Sequence, residues 1–493
     1  MKKRLLALLL AALLTGSLFS CGDSAAETEA AADTAPDTAE ETIDPNDRSL
    51  IPDSLPDDLD FGGRTYTSYV PNNSEQIKYY TGSEELAGEV VNEAVLSRNL
   101  AVEERLNISI NHVEQNDVDT TNYKQKVSAL MMAGDTTYDT YMGYQWQLTQ
   151  MLTTGGFVNL YDLEYLDFDQ PWWWNNYMDE LTLSDDVRIF AVGDYIIHAL
   201  MNTRALFYNK DLYAKFYEDG EGLYNTVLEG NWTLDAMAEL SESVYADTNG
   251  NGEMDVADQL GYVTYLTFSS VDAFVYATDI EFAVRTDDGH VQLNMEQEDA
   301  ITLTEKLVDF FYQPGSMHQV ESNTNTFLEG NTLFLGNATL NGAYSLREME
   351  SDFGMLPYPK LDAEQENYRA LVHDGTFILA VNGASQNLDI LGAVLEAMCA
   401  ETYRTLTPAW YETALKIKYT RDNLSAQMID LIHDSITTNF IFAYNYAIND
   451  IGMVYRSLVT ANSKDYVSTV KSKEKSAQAS LDALYELFTT ATE

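Results

Sequence analysis

The sequence feature that most constrains the fold is a repeated change of hydrophobic period after residue 60. Short runs rich in Tyr, Thr and Val alternate with segments whose apolar residues recur on one helical face. In chain order they predict a strand at 64–70, a helix at 84–106, a strand from 108 to 110, a helix at 123–132 and a strand at 139–143. This alternation predicts α/β lobes with largely parallel sheets, in which ligands meet the carboxyl ends of the strands.

The length of this region favours two lobes. About 430 residues follow residue 60, which exceeds the size at which one hydrophobic core stops growing. Further helices are predicted near 233–245, 297–313 and 387–402, with a largely helical tail from residue 425. The sequence contains neither an internal repeat nor an apolar run that would span a membrane in the mature protein.

The first residues predict export. Three basic residues precede an apolar run, Leu5 to Leu14, that is too short to span a bilayer, so residues 1–20 are predicted to be a signal peptide. Leu18-Phe19-Ser20-Cys21 resembles a bacterial lipobox, which implies lipid attachment at Cys21 and an outward-facing, membrane-anchored protein. The alternative is an ordinary cleaved signal peptide with an incidental cysteine.

The segment that follows is acidic and lacks large apolar groups. Residues 21–59 cannot bury enough surface to offset their chain entropy, which predicts a disordered tether. The whole chain carries a formal net charge of −50, a field that repels nucleic acid and other phosphate-rich partners. The second of its two cysteines, Cys399, lies in an apolar helical stretch and is predicted to be a buried small residue.

Several short motifs stand in an order that resembles a known family. They are Gly134-Asp135 with Tyr138-Asp139, Tyr208-Asn209-Lys210-Asp211-Leu212, Asn231-Trp232-Thr233-Leu234-Asp235, residues 247–262 and Phe353-Gly354-Met355-Leu356-Pro357. With the lipobox, their order over about residues 60–490 resembles an extracellular solute-binding protein of the family 1 type. That family includes the binding proteins of ABC importers for maltose and other oligosaccharides. The blocks at 171–173 and 408–412 resemble a little-characterised branch of it.

The resemblance implies a two-lobed, periplasmic-binding-protein-like α/β fold of class II, with a ligand cleft between lobes that a multi-strand hinge joins. Lobe one would comprise 60–196 plus 337–383, and lobe two 207–335 plus 385–493. The lobes would close on a small solute, which the resemblance implies to be a sugar or oligosaccharide, and present it to the membrane subunits of an ABC importer. The protein would act as a monomer.

Aromatic side chains near predicted loops are candidates for stacking on sugar rings, with polar neighbours for the hydroxyls. Tyr144 and Trp146 are the strongest candidates, because they follow a predicted strand at its carboxyl end. The remaining candidates are Trp172, Trp173 and Trp174, of which one is expected to reach ligand, Trp410, Tyr411 and Glu412, and, near the implied hinge, Asn337, Asn341, Tyr344, His373, Asp374 and Gly375. Trp232 is predicted to be core.

A loop between residues 247 and 258 has the oxygen-donor spacing of a calcium loop. The predicted ligands are Asp247, Asn249 and Asn251 at positions 1, 3 and 5, the carbonyl of Glu253 at position 7 and Asp258 at position 12. Gly252 occupies position 6, where the turn needs glycine, and Asp255 occupies position 9. Asp in place of Glu at position 12 shortens the reach, and a bound ion would be structural. The alternative is an acidic surface turn without metal.

Motifs of enzymes are absent from the sequence. There is no H-E-x-x-H pair, no G-x-S-x-G elbow, no P-loop and no G-x-G-x-x-G, so neither a catalytic residue nor a catalytic cofactor is predicted. Paired carboxylates for glycoside hydrolysis depend on three-dimensional separation, which leaves a glycoside-active enzyme as an alternative. A surface protein that binds carbohydrate without import is a further alternative.

Overall fold

Two mixed β-sheets form the framework of the protein in the computed structural model, which describes residues 48–72, 74–217, 222–266, 270–286, 289–416 and 423–492. The strands are β1 (Arg64–Pro71), β2 (Ile108–Gln115), β3 (Thr140–Tyr144), β4 (Phe190–Ala191), β5 (Arg204–Asn209), β6 (Leu260–Val263), β7 (Ala283–Arg285), β8 (Val291–Leu293), β9 (Ser316–Met317), β10 (Thr332–Thr339), β11 (Phe353–Leu356), β12 (Ala370–Leu371), β13 (Phe377–Val381) and β14 (Ile436–Thr437). The predicted signal peptide, Cys21 and the first part of the predicted tether lie outside the described residues.

Helices connect and cover these strands. They are α1 (Ser74–Thr81), α2 (Val90–Leu106), α3 (Tyr123–Met132), α4 (Gln145–Leu148), α5 (Asn175–Asp179), α6 (Ile197–Met201), α7 (Lys210–Tyr217), α8 (Gly222–Leu228), α9 (Leu234–Ser243), α10 (Asp272–Val275), α11 (Glu298–Tyr312), α12 (Asn323–Leu328), α13 (Leu388–Glu401), α14 (Thr407–Lys416), α15 (Asn423–Asp434), α16 (Phe440–Ala443), α17 (Val454–Thr460) and α18 (Tyr466–Thr492). A π-helical turn, Thr402–Leu406, joins α13 to α14. None of the helices in the described part of the chain is long and apolar enough to cross a membrane.

The first sheet has the strand order β2-β1-β3-β13-β4. The strands β1, β2 and β3 run parallel, as the strand–helix alternation predicts, while β13 runs antiparallel to β3 and to β4. Every residue of β3 is buried. Gly143 is required within it, because a Cβ there would lie 2.2 Å from the Tyr123 hydroxyl of α3. This close contact sets the distance between helix and sheet.

The second sheet has the order β11-β5-β10-β6-β9. Its strands β10, β6 and β9 are parallel, and β5 lies antiparallel between β10 and β11. Helix α11 covers this sheet through an apolar face that includes Leu303, Leu307 and Phe311, all buried. At the start of α9 the Thr233 hydroxyl accepts a hydrogen bond from the Ala236 amide at 3.3 Å, an N-cap that fixes where the helix begins.

Two connections between the sheets run side by side. The chain passes from β4 to β5 and returns from β11 to β13. Thr203, just before β5, forms a β-bridge with Val372, which directly follows β12. The Thr203 carbonyl accepts a hydrogen bond from the Leu340 amide at 2.9 Å. Arg204 pairs with Thr339 at the end of β10. This is the multi-strand hinge that the two-lobed fold requires.

Residues 48–59 correct the expected extent of the tether. Leu55 is buried, and the Asp53 carboxylate accepts hydrogen bonds from Arg105 at 2.7 Å and from Arg404 at 2.8 Å. Burial opposes ionisation of Asp53, but these two arginines overcome it and lower its pKa to about 2. Two salt bridges and an apolar anchor stabilise a segment whose composition alone predicted disorder.

The boundaries implied for the two lobes remain a prediction, and two segments lie with a different sheet from the one expected. Strand β11, expected in lobe one, pairs with β5 of the second sheet. Helix α13, expected in lobe two, packs against α2 beside the first sheet. Several predicted elements are confirmed: α3 has the predicted bounds, and the ends of α9, α11 and α13 lie within two residues of the predicted ones.

Candidate functional site

Five charged or titratable side chains from four separate segments interact beside the two connections between the sheets. We call Arg204, Asp272, His373, Asp374 and Arg456 the charged cluster. Arg204 begins β5, and Asp374 with His373 precedes β13, so three of its members come from the paired connections. Asp272 begins α10, and Arg456 lies in α17. Converging elements of this kind place polar groups at the topological position where α/β proteins bind ligands.

A buried ion pair stands at the centre of the charged cluster. Arg456 Nε donates to Asp272 Oδ2 at 2.6 Å, and the Asp272 side chain is 1% exposed. Burial raises the pKa of Asp272 to about 6, while the Arg456 charge acts in the opposite direction. The Asp272 Oδ1 atom is buried and has no hydrogen-bond partner among the described residues. The carboxylate is therefore held by one arginine, and its second oxygen is enclosed by protein.

Asp374 acts on every other member of the charged cluster. Burial raises the pKa of Asp272 and lowers that of Arg204. Burial also lowers the pKa of Arg456, but Asp272 and Asp374 outweigh it and raise that pKa. The charge of Asp374 acts upward on the pKa of all three. Its Oδ1 lies 3.3 Å from His373 Nδ1. Burial, reinforced by Arg204, lowers the pKa of His373 to about 4, so this imidazole is neutral at pH 7. The neutral form fits the hydrogen bond that Nδ1 accepts from the Gly375 amide at 2.8 Å.

An aromatic pair adjoins the charged cluster. The Trp146 and Tyr446 rings have centroids 5.4 Å apart, and Tyr446 is 44% exposed. Thr149 in the turn after α4 donates to the Ala443 carbonyl at 2.9 Å, which holds the segment carrying Tyr446 beside Trp146. Burial raises the pKa of the Tyr446 hydroxyl, and the next influence is the charge of Asp374. Trp146 thus lies where the sequence predicts it, at the carboxyl end of β3.

A cavity of about 380 Å³ adjoins the same region. It is lined by Lys78, Tyr79, Leu86, Glu89, Val91, Asn92, Val95, Asn341, Tyr344 and Trp410. His198 interacts with both the charged cluster and this cavity. Burial lowers the pKa of His198 to about 3, and the charges of His373, in the charged cluster, and Lys78, in the cavity wall, lower it further. The predicted candidates Asn341, Tyr344 and Trp410 therefore share one cavity, which we call the side cavity.

The tryptophan block does not line this site. Trp172 and Trp173 are buried, and their indole nitrogens donate to the two oxygens of Glu396 at 2.9 and 2.8 Å. The Trp174 indole donates to Asp194 at 3.3 Å. Because a buried N–H needs a partner, these bonds fix the three indoles against the core. Trp173 and Trp174 also line a separate cavity of about 230 Å³, so ligand contact by one of the three stays a prediction.

Other candidates also have different surroundings from those expected. Tyr144 is buried in edge contact with Phe377, at 5.0 Å between centroids, and belongs to the core. Asn337 adopts φ 54° and accepts a hydrogen bond from Arg204 Nη1 at 3.1 Å, so it supports the charged cluster. Tyr411 is partly buried under the Arg48 guanidinium. Glu412 lies in α14, but its side chain is outside the described ones. Trp232 is buried, as predicted.

The residues that sequence reasoning missed are chiefly charged. Arg204 stands at the start of a buried strand whose next residues are mostly apolar. An isolated charge in such a strand could have marked Arg204 as a candidate site residue. Asp272 and Arg456 lie in helices separated by more than 180 residues, so only the tertiary fold shows that they pair. Tyr446 is one of 32 tyrosines, and nothing in its neighbourhood distinguishes it.

The buried carboxyl of Glu396 predicts a specific pH effect. Burial raises its pKa to about 7, against hydrogen bonds from the Asp167 amide and the two indoles. A raised pKa contributes stability below the unfolded value near 4.5 that is lost as the pH rises through about 7. We expect Glu396→Gln to gain about 2–3 kcal/mol relative to wild type between pH 5 and pH 8. Urea unfolding at both pH values measures it, and an equal difference at the two would contradict it.

The predicted calcium loop is held by its own side chains. Asp247 accepts hydrogen bonds from the Gly250 and Gly252 amides at 2.6 and 2.9 Å, and Gly252 has φ 79° as the turn requires. Buried Asp258 accepts from the Thr248 and Asp255 amides. Asn249, Asn251 and Asp255 hydrogen-bond one another. Within the described chain, no group of three or more His, Cys, Asp or Glu is arranged to hold a metal ion. Calcium binding stays a prediction.

A larger cavity of about 910 Å³ lies away from these residues. Its walls include Asp179, Glu180, Arg285, Arg369 and Asp434. Arg369 pairs with Glu180 at 3.2 Å. None of the predicted ligand residues lines it, and neither the aromatic pair nor the charged cluster borders it. We therefore place the candidate site at the charged cluster, the Trp146–Tyr446 pair and the side cavity.

Comparison with known proteins agrees with this architecture. The family described as bacterial extracellular solute-binding protein matches residues 109–398, more than half of the chain. The fold is similar to that of M. tuberculosis UspC, with TM-score 0.54, 12% identity and coverage of 84% of this chain and 100% of that one. It is also similar to a cyclo/maltodextrin-binding protein complexed with maltotetraose, with TM-score 0.51, 12% identity and coverage of 87% and 97%. A comparison with curated protein sequences found no match. The chain belongs to the bacterial extracellular solute-binding protein family.

Proposed function

We propose that the protein captures a sugar or oligosaccharide between its two lobes and delivers it to an ABC importer. The observation that carries the proposal is the placement of the Trp146–Tyr446 pair beside the charged cluster, after the carboxyl end of β3. Aromatic faces accept the C–H faces of sugar rings, and carboxylates and guanidinium groups satisfy hydroxyls. The fold shared with a maltotetraose complex supports the same ligand class.

The proposal includes anchoring and the lack of catalysis. The lipobox-like sequence ending at Cys21 supports a lipid anchor that holds the protein at the outer face of the cell membrane. In the charged cluster the carboxylate of Asp272 is buried and paired with Arg456, which leaves it poorly placed for acid–base chemistry on a solute. Mass spectrometry of the protein isolated from membranes tests the lipid on Cys21.

A thermal-shift screen tests ligand capture. A sugar that binds only the folded state must raise the melting temperature in a saturable way, and product analysis shows whether it is recovered intact. We expect one sugar family to bind, and Trp146→Ala to weaken its affinity about tenfold through loss of the stacking surface. Phe216→Ala, on an exposed aromatic of α7, is the control and should leave affinity unchanged. Cleavage of the sugar, or no binding by any sugar, would refute the proposal.

We also propose that the loop at 247–258 binds a structural calcium ion. The donors are hard oxygens in the order that calcium requires, and the turn at Gly252 is already formed. Calcium at about 1 mM should raise the melting temperature of wild type, and magnesium should do so less. Asp247→Ala should abolish the calcium effect, while Asp235→Ala on α9 should not. An equal calcium response in Asp247→Ala would exclude this loop.

A further inference from the structure

The cavity of about 230 Å³ beside the tryptophan block, which we call the small cavity, is separate from the candidate site. It shares two wall residues, Asn176 and Asp434, with the cavity of about 910 Å³, so the two adjoin. Neither is lined by a member of the charged cluster or by a residue of the side cavity. The Asp434 side chain is 75% exposed, which places the mouth of the small cavity at this residue.

Two indole rings in the wall of the small cavity present carbon to it. Trp173 Nε1 donates to Glu396 at 2.8 Å and Trp174 Nε1 donates to Asp194 at 3.3 Å, so both N–H groups are already used by the protein. The His433 ring meets Trp174 edge-on, with 6.2 Å between centroids, and holds that indole in place. The face of an indole attracts a cation and offers no partner to an anion.

His433 gives the small cavity an unused hydrogen-bond acceptor. Its side chain is 7% exposed, and its Nδ1 lies 3.1 Å from Asp434 Oδ1. Because a carboxylate only accepts hydrogen bonds, Nδ1 carries the proton, and in the neutral ring Nε2 is an acceptor. Nε2 is enclosed and has no hydrogen-bond partner among the described residues. An enclosed acceptor in a cavity wall needs a donor, and a solute in that cavity can supply one.

The charge of the small cavity is negative. The hydrogen bond from His433 holds the pKa of Asp434 below its usual range, although burial opposes this, so Asp434 is a carboxylate at neutral pH. No lysine or arginine stands among the described wall residues. Arg48 also acts on Asp434, but its guanidinium lies over the Tyr403 and Tyr411 rings and does not line the cavity.

The larger cavity extends the same preference for positive charge. Its described walls hold four carboxylates, Asp434 among them, against the two guanidinium groups of Arg285 and Arg369. Arg369 pairs with Glu180 at 3.2 Å, and Arg285 donates to the Thr182 carbonyl at 2.6 Å. Both arginines are therefore engaged by the protein, and a solute that extends from the small cavity into the larger one meets walls with a surplus of negative charge.

We propose that the small cavity is a second binding site, which takes the protonated amino group of a small organic cation. The ammonium group lies against Trp173 and Trp174, pairs with Asp434 and donates a hydrogen bond to His433 Nε2, while the rest of the solute extends into the larger cavity. The hydrogen bond needs an N–H, so a primary ammonium fits this site better than a quaternary one. The site is independent of the sugar capture proposed above, because it shares no residue with the candidate site.

Three compounds with one butyl chain test the proposal: n-butylammonium, butyltrimethylammonium and n-butanol. Their binding is followed by NMR through the indole N–H signals, at about pH 8, where an imidazole is neutral and an alkyl ammonium is charged. We expect n-butylammonium to bind about tenfold more tightly than n-butanol, which lacks the charge, and more tightly than butyltrimethylammonium, which lacks the N–H. Equal binding of n-butanol and n-butylammonium, or no saturable binding of n-butylammonium up to about 10 mM, overturns the proposal.

Two variants test the residues of the site. Asp434→Asn keeps the shape of an exposed side chain and removes its charge, so the affinity for n-butylammonium should fall about tenfold, towards that for n-butanol. His433→Phe keeps a ring without the acceptor, so the preference for n-butylammonium over butyltrimethylammonium should disappear. Asp309→Asn, in an exposed pair with Lys464, is the matched control and should change neither quantity. An unchanged affinity for n-butylammonium in Asp434→Asn overturns the assignment of the site.

Discussion

Arg456→Met is expected to lower the free energy of unfolding by about 3–5 kcal/mol, because it leaves the Asp272 carboxylate buried without its ion-pair partner. The Met side chain replaces much of the volume of Arg, so packing loss contributes little. Adding Asp272→Leu should recover a large part of the loss, since the double variant has no uncompensated charge. Urea unfolding of both variants and of wild type gives the comparison.

The matched control for Arg456→Met is Lys464→Met. Lys464 pairs with Asp309 on the surface, with 44% and 68% of the two side chains exposed. Exposed pairs contribute about 0–1 kcal/mol, so this variant should unfold almost as wild type does. A loss in Arg456→Met no larger than that of the control would show that the Asp272–Arg456 pair is not buried as described.

Trp172→Ala is expected to destabilise the protein by about 3–5 kcal/mol, because it removes a fully buried indole and opens a cavity. It also removes the N–H that donates to Glu396 at 2.9 Å. Trp172→Phe separates the two effects: it keeps most of the ring volume and should cost about 1–3 kcal/mol for the unsatisfied carboxylate oxygen.

Sugar affinity decides between a core role and a ligand-contact role for Trp172. At a temperature where Trp172→Phe remains folded, its sugar affinity should equal that of wild type, whereas Trp146→Ala should show the reverse pattern of near-normal stability and weak binding. Weak binding by a fully folded Trp172→Phe would support the sequence-based expectation that the tryptophan block reaches ligand.

The fold was largely predictable, since it depends on local patterns. The strands β1, β2 and β3 and the helices α2 and α3 follow from hydrophobic period, whereas the short helix α1 was not predicted. The ordered segment at 48–59 was not predictable from its composition, because Asp53 is stabilised by Arg105 and Arg404, partners that lie far along the chain. Long-range ion pairs of this kind have no local signature.

The candidate site was predictable only in part, and for a related reason. Trp146 could be located because the carboxyl end of a strand has a known place in α/β folds. The role of the tryptophan block could not be read from the sequence, because aromatic residues near turns serve the core and a ligand equally well, and the partner of Trp172 and Trp173, Glu396, lies more than 200 residues along the chain. The charged cluster comes from four separate segments, and the sequence does not state which of 78 acidic residues will face an arginine.

The docked segment that begins at Arg48 also gives the protein a mechanical property. The Arg48 guanidinium lies 4.8 Å from the Tyr403 ring centroid and 5.4 Å from that of Tyr411. Any pull on the chain before residue 48 must first break these contacts and then the two salt bridges of Asp53. Tyr411 follows Trp410, which lines the side cavity. Tension applied to the chain before residue 48 would therefore load the helix that carries Trp410, one wall of the candidate binding site.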